Sequence, residues 1–188
     1  MDQKDEKREP EEEKKVPIKA TLREDGVFVQ STEDVEGLSS RGYGTKADEG
    51  VTLTFYEALF LLGKGIIEVT DEKTRGSITF QDLLGKYRVT NENAWVKYLI
   101  YRDLRSRGYV VREGFGLGID FRVYERGEYG EETADYLVVG IHEGQPVILE
   151  DLARTLKHVQ SLKKILILAV LNRRGEIVYY TLSRLTFE

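Results

Sequence analysis

Few side chains in this sequence titrate near neutral pH when unperturbed. There are two histidines, His142 and His158, and no cysteine. Disulfides, thiolate zinc sites and cysteine nucleophiles are therefore excluded. His142 closes an apolar run, His158 falls late in a helical one, and neither has a partner at metal-ligand spacing. Both read as structural or surface groups. Lys163-Lys164 stand immediately ahead of the apolar run Ile165–Leu171. They are either a solubilising strand entry or a cation aimed at a phosphate from the edge of a sheet, and the residues alone favour the first. The aromatics Trp95, Tyr98, Tyr101, Tyr124, Tyr136, Tyr179 and Tyr180 could stack on bases, but they fall on predicted helices and strands, where packing is the default. Gly114, Gly116 and Gly118 alternate and lead into a strand. A dinucleotide fingerprint needs a different spacing and a helix after it, so this loop is a tight connection exposing backbone between two strands.

The elements that must position these groups follow from periodicity. Residues 1–15 are almost all charged, without apolar periodicity, and predict a disordered tail. Val16–Leu22 alternates as a strand, Asp25-Gly26 signals a hairpin, and Val27–Gln30 returns. Residues 31–50 read as loop. Thr54-Phe-Tyr-Glu57 is a capping box ahead of an apolar helix that stops at Gly63-Lys-Gly65. Ile66–Val69 is a strand, and Thr79 with Asp82 caps a short helix around Leu83-Leu84. Glu92–Arg107 is an amphipathic helix burying Val96, Leu99, Ile100 and Leu104. After the glycine loop, strands at Ile119–Tyr124, Tyr136–Ile141, Ile165–Leu171 and Ile177–Leu182 surround a helix within Pro146–Gln160. The unbroken run Ile165–Leu171 predicts a central strand buried on both faces. The last strand, at the end of the chain, is an exposed edge unless it pairs, which invites a subunit interface.

Length and charge set outer bounds. With 188 residues the chain suits one large or two small domains, and no apolar run reaches the roughly 20 residues of a membrane span. With no signal-type hydrophobic segment, the expected location is cytoplasmic. A net charge of −5 argues against broad coating of nucleic acid, though not against a local basic patch. Abundant Lys, Glu and Arg with a single Met match a thermophile's composition.

The run Gly-Ile-Asp-Phe-Arg-Val-Tyr-Glu-Arg-Gly (118–127), following the helix Tyr98-Leu-Ile-Tyr-Arg-Asp-Leu-Arg-Ser-Arg-Gly108, resembles the C-terminal domain of archaeal tRNA-splicing endonucleases. The likeness continues through Tyr136-Leu-Val, Lys163-Lys164-Ile-Leu-Ile and Gly175-Glu-Ile-Val-Tyr-Tyr180, and covers roughly residues 50–188. The elements of 16–87 read as a small α+β N-terminal domain, and the resemblance implies that an α/β nuclease-like C-terminal domain (88–188) follows, with a central mixed sheet flanked by helices.

In that family a tyrosine acts as base on a ribose 2′-hydroxyl, a histidine as acid on the leaving 5′-oxygen, and a lysine stabilises the phosphorane. No metal or other cofactor is implied. Carried over by motif, the lysine falls at Lys164, the tyrosine position at Leu117, three residues before Asp120, and the histidine position at Thr133, three before Tyr136. An aliphatic chain and a lone alcohol cannot perform those transfers. The resemblance therefore implies a non-catalytic structural subunit of a heterotetramer. It would assemble with a catalytic paralogue, pair through the last strand, and act with it on precursor tRNA at bulge-helix-bulge sites. The loop Asn172–Glu176 is net basic where homotetrameric relatives carry an acidic docking loop. Two other readings stay open: an active ribonuclease with a displaced set such as Tyr129, Lys164 and His142, and an RNA-binding assembly module without nuclease function.

Overall fold

The computed structural model describes residues 16–185, so the predicted charged tail and the chain beyond Leu185 lie outside the described residues. The N-terminal half builds a six-stranded sheet. Strands β1 (Ile18–Leu22) and β2 (Val27–Val29) form the hairpin expected at Asp25-Gly26, with Arg23 N–H donating to Gly26 O. Strands β3 (Thr45–Ala47), β4 (Gly50–Leu53), β5 (Ile67–Asp71) and β6 (Ser77–Ile78) complete it in the order β3-β4-β2-β1-β5-β6.

The stretch expected to be loop, 31–50, is more ordered than its composition suggests. It holds helix α1 (Thr32–Ser40), capped by the Ser31 hydroxyl accepting from Asp34 N–H, and strand β3. α1 buries only Leu38, so its apolar periodicity is too thin to stand out against Gly, Ser and acidic residues. Helix α2 (Phe55–Gly63) begins at the predicted capping box, where the Glu57 carboxylate accepts from the N–H and hydroxyl of Thr54. Helix α3 (Phe80–Thr90) starts at the predicted Thr79–Asp82 cap and runs further than expected.

The second half follows the predicted order. Helix α4 (Ala94–Ser106) leads into β7 (Val110–Gly116), β8 (Ile119–Tyr124), β9 (Tyr136–His142), helix α5 (Leu149–Ser161), β10 (Ile165–Leu171) and β11 (Ile177–Leu182). The sheet order is β11-β10-β9-β8-β7, with β9 and β10 parallel and the other pairs antiparallel. The glycine stretch is mostly strand rather than loop: β7 runs through Gly114 and Gly116 with a bulge. A Cβ on Gly114 would lie 2.0 Å from Ile119 O, so the partner backbone passes where a side chain would start.

One apolar core crosses both halves. It runs from Ala20, Leu53 and Leu59 through Leu99, Ile100 and Tyr101 to Phe121, Val138 and Ala169. Helix α4 covers one face of the second sheet. Among the described residues the opposite face has only α5, whose buried side chains are Thr155 and Val159. β10 is therefore not buried on both faces as predicted. Leu168 and Val170 are half-buried there, and on β11 Val178 and Tyr180 are 40% and 54% exposed. A continuous apolar run fixes a strand's chemistry on both faces, but not whether the same chain covers both. Among the described residues no helix is long and apolar enough to cross a membrane.

Candidate active site at the Lys164 end of the sheet

The end of α5 determines where Lys164 sits. The helix closes with Leu162 N–H on His158 O and Lys163 N–H on Gln160 O, and Lys163 takes a left-handed φ of 57°. Lys164 N–H then bonds Val159 O, and Ile165 N–H bonds Asp135 O at the start of the β9–β10 pairing. This reversal turns the Lys164 side chain across the first residues of β9. Its Nζ donates to Thr133 Oγ1 at 2.8 Å and to Thr133 O at 3.4 Å, and forms an ion pair with Asp135 Oδ1 at 3.2 Å. The ammonium is largely enclosed, at 20% side-chain exposure, while Asp135 is 45% exposed. The lysine and histidine positions implied by the resemblance are thus in contact, but the contact is an ammonium on an alcohol, with a carboxylate of the same chain already sharing the charge.

Leu117 does not join them. It occupies the β7–β8 turn with φ of 54° and is half exposed, and its carbonyl accepts from Thr155 Oγ1 at 2.8 Å. Register explains the separation. Val123 of β8 pairs with Tyr136, level with Ile165 of β10, whereas Leu117 lies beyond Ile119 at the other end of β8. Ile119 to Val123 alone is four residues, roughly 13 Å of strand. The antiparallel hairpin carries Leu117 away from Lys164 and Thr133, so placing a missing base there has no support in the geometry.

Two phenols at the Lys164 end are Tyr124, the last residue of β8, and Tyr136, the first of β9. Tyr136 lies on the α4 side, where its hydroxyl donates to Glu125 Oε1 at 3.0 Å, and that bond raises its pKa. Tyr124 follows Val123, which is buried against the α4-side core, so the pleat directs Tyr124 to the other face, where Lys164 enters. β8 and β10 are two strand spacings apart, about 9.6 Å. Tyr129 packs edge-on against Tyr124 with ring centres 5.2 Å apart, and is not directed at Lys164 by any hydrogen bond among the described residues. Grouping Tyr124 with the core aromatics overlooked it. The alternation Asp120-Phe-Arg-Val-Tyr124 was the available signal, because it opposes Tyr124 to the buried Phe121 and Val123.

Neither imidazole is bonded to Lys164 or Thr133. His142 pairs with Leu171 at the far end of β9 and β10, six residues or roughly 20 Å of strand from the Tyr136–Ile165 level. His158 packs edge-on against Phe115 of β7 with ring centres 6.1 Å apart. The displaced set Tyr129, Lys164 and His142 is therefore not assembled.

The loop at 172–176 is a built turn. Asn172 Oδ1 accepts from the N–H groups of Arg174 and Glu176, and Arg173 N–H donates to Glu143 Oε2. The side chains of Arg173 and Arg174 stand exposed, without an acidic partner among the described residues.

Comparison with known proteins gives the class first. Residues 94–179 match the tRNA intron endonuclease, catalytic C-terminal domain, and residues 18–84 match the tRNA intron endonuclease, N-terminal domain. This is a two-domain layout with a nuclease-like C-terminal unit. Among whole proteins, the chain is 31% identical to a tRNA-splicing endonuclease of Methanococcus maripaludis, over 91% of this chain and 96% of that protein. It is 33% identical to one of Pyrococcus furiosus, over 88% of this chain and 95% of that protein. It is 32% identical to one of Methanococcoides burtonii over 89% of this chain but only 46% of that longer protein. The chain belongs to the tRNA-splicing endonuclease family.

Proposed function

We propose that this chain is the non-catalytic subunit of a heterotetrameric tRNA-splicing endonuclease. In this reading it assembles in the cytoplasm with a catalytic paralogue, positions that partner, and supports precursor tRNA at bulge-helix-bulge sites. The observation that carries it is the Thr133–Lys164 contact. An alcohol fills the place where proton donation to a leaving oxygen calls for an imidazole, and both imidazoles of the chain lie elsewhere, His142 at the far end of β9 and His158 against Phe115. The charge of Lys164 is already shared with Asp135. The outer face of β10–β11 and the edge strand β11 support pairing with another subunit. They present half-buried and exposed apolar side chains beside unpaired backbone. The basic Arg173-Arg174 turn next to them implies an acidic receiving surface on the partner.

Tyr124 favours a second reading, in which the chain cuts RNA slowly by itself with Tyr124 and Lys164. One experiment separates the two. The purified chain, a candidate catalytic paralogue and their mixture are each weighed by light scattering and assayed on precursor tRNA. The subunit reading expects cleavage only with the paralogue present and a mass near two copies of each chain. Robust cutting by this chain alone, abolished by Lys164→Ala, would overturn it.

A further inference from the structure

We propose that the cavity between the end of α4 and the sheet takes one unstacked base of the RNA, with the flanking phosphate on Arg107 and Arg126. The proposal rests on the splicing-subunit reading and adds where such a subunit would touch its substrate. The cavity, about 280 Å³, is walled by the rings of Tyr109, Tyr136 and Tyr179 over an apolar floor that includes Val138 and Ile167. That is at the small end for ligand sites, suited to a single flat ring system rather than to a partner's helix.

Two of the three phenols are pinned. Tyr179 Oη donates to Asp103 Oδ2 at 2.7 Å, and Tyr136 Oη donates to Glu125 Oε1 at 3.0 Å. The rings are therefore held in place before any ligand arrives, and little side-chain ordering is left for binding to impose. Both acids near the cavity are committed, Glu125 to that phenol and Asp103 to Tyr179 and to Arg107 Nε at 2.8 Å.

One guanidinium lines the cavity, that of Arg107, which is 57% exposed, paired with Asp103, and has its guanidinium carbon 5.7 Å from the centre of the Tyr179 ring. Arg126 lies outside the lining, donates from Nη2 to the backbone Arg107 O at 2.6 Å, and has no carboxylate partner among the described residues. Fixed aromatic walls with an arginine at the mouth and a second close behind its backbone are what single-stranded RNA uses: every base has a face to stack, and its phosphate needs a cation. The cavity also opens at the same end of the sheet as Lys164, on the opposite face, because Tyr136 starts β9 level with Ile165.

The test is a fluorescence-anisotropy titration of the full chain with a short fluorescein-labelled single-stranded oligoribonucleotide, repeated over a series of salt concentrations. Tyr109→Ala is expected to weaken binding about tenfold, within the range for losing one stacked base, and Tyr109→Phe to leave it near the parent value. Arg126→Ala is expected to reduce the slope of log affinity against log salt by about 0.7, one phosphate's share on a single strand. Tyr109→Leu, which keeps apolar bulk, replaces Tyr109→Ala if thermal melts show the alanine variant unfolded. The same variants are weighed with the catalytic paralogue. Affinity within about twofold of the parent for Tyr109→Ala or Tyr109→Leu overturns the proposal, as does no measurable binding by the parent. Loss of complex mass with RNA affinity intact also overturns it, by making the cavity a protein contact. A normal complex with unchanged RNA affinity sinks the cavity and leaves the subunit reading standing. A parent that forms no complex sinks the subunit reading, whatever the cavity binds.

Discussion

Removing Arg112 tests whether the two family domains are held as one structural unit. Arg112 lies on β7 of the C-terminal unit, and its Nη1 reaches across to the Glu57 carboxylate of α2 at 3.2 Å and to Gly42 O at 2.9 Å. Glu57 is only 2% exposed. It also accepts from Gly44 N–H at 3.1 Å, Thr54 N–H at 2.9 Å and the Thr54 hydroxyl at 3.0 Å. Burial raises its pKa above the ordinary carboxylate range, against the pull of those donors and of Arg112. Arg112→Leu leaves this carboxylate buried without its cation. Breaking a buried pair from one side costs about 3–5 kcal/mol. Three donors remain and the group can take up a proton, so the lower end applies, about 3 kcal/mol at pH 7. For a chain of this size that corresponds to a fall in Tm of about 6–12 °C.

The pH dependence has a definite sign. The variant raises Glu57's folded-state pKa further above its unfolded value, so the folded variant holds a proton over a range where the unfolded chain has released it. Its stability then increases as pH falls through that range, and the deficit relative to the parent shrinks. Thermal melts of parent and variant at pH 8, 7 and 5 measure this. Glu57→Gln combined with Arg112→Leu is expected to recover most of the loss. A deficit below about 1 kcal/mol, or one that stays constant from pH 8 to 5, would refute the reasoning.

Three further outcomes are expected. Lys164→Met removes the bonds to Thr133 and Asp135 and is expected to cost about 1 kcal/mol by denaturant titration, with no change in cleavage by the assembled enzyme; a large fall in cleavage rate would return Lys164 to the chemistry. Asp71, hydrogen-bonded by the N–H groups of Thr74 and Lys73 and by the Lys86 ammonium, is held at about 2 against an ordinary 3.8. A lowered folded pKa means its contribution is complete above about pH 4 and lost as pH falls towards 2, so Asp71→Asn should flatten the acid limb of a melt series there and nowhere else. Val178→Glu with Tyr180→Asp charges the exposed face of β11 and is expected to leave the Tm of the single chain within about 2 °C while abolishing association with the paralogue by light scattering; unchanged association would exclude that face as the interface.

Local chemistry carried much of this protein in the sequence itself. The caps at Thr54–Glu57 and Thr79–Asp82, the Asp25-Gly26 hairpin and the strand and helix order after Glu92 were all legible, because each depends on neighbours a few residues away. So was the place of Lys164 ahead of an apolar strand, although its candidate role came only from the resemblance. Helix α1 was not, because its burial of Leu38 is a tertiary event with little periodic trace. Which residues stand together was decided only in three dimensions. Antiparallel pairing of β7 with β8 sends Leu117 to one end of the hairpin and Tyr124 to the other, and pairing of β8 with β9 and β9 with β10 puts Tyr124 one residue past the Val123–Tyr136–Ile165 level, at the Lys164 end. Spacing along the chain cannot report that, because a strand moves a residue roughly 3.3 Å per position, away from or towards a site, depending on partners it meets only in the sheet.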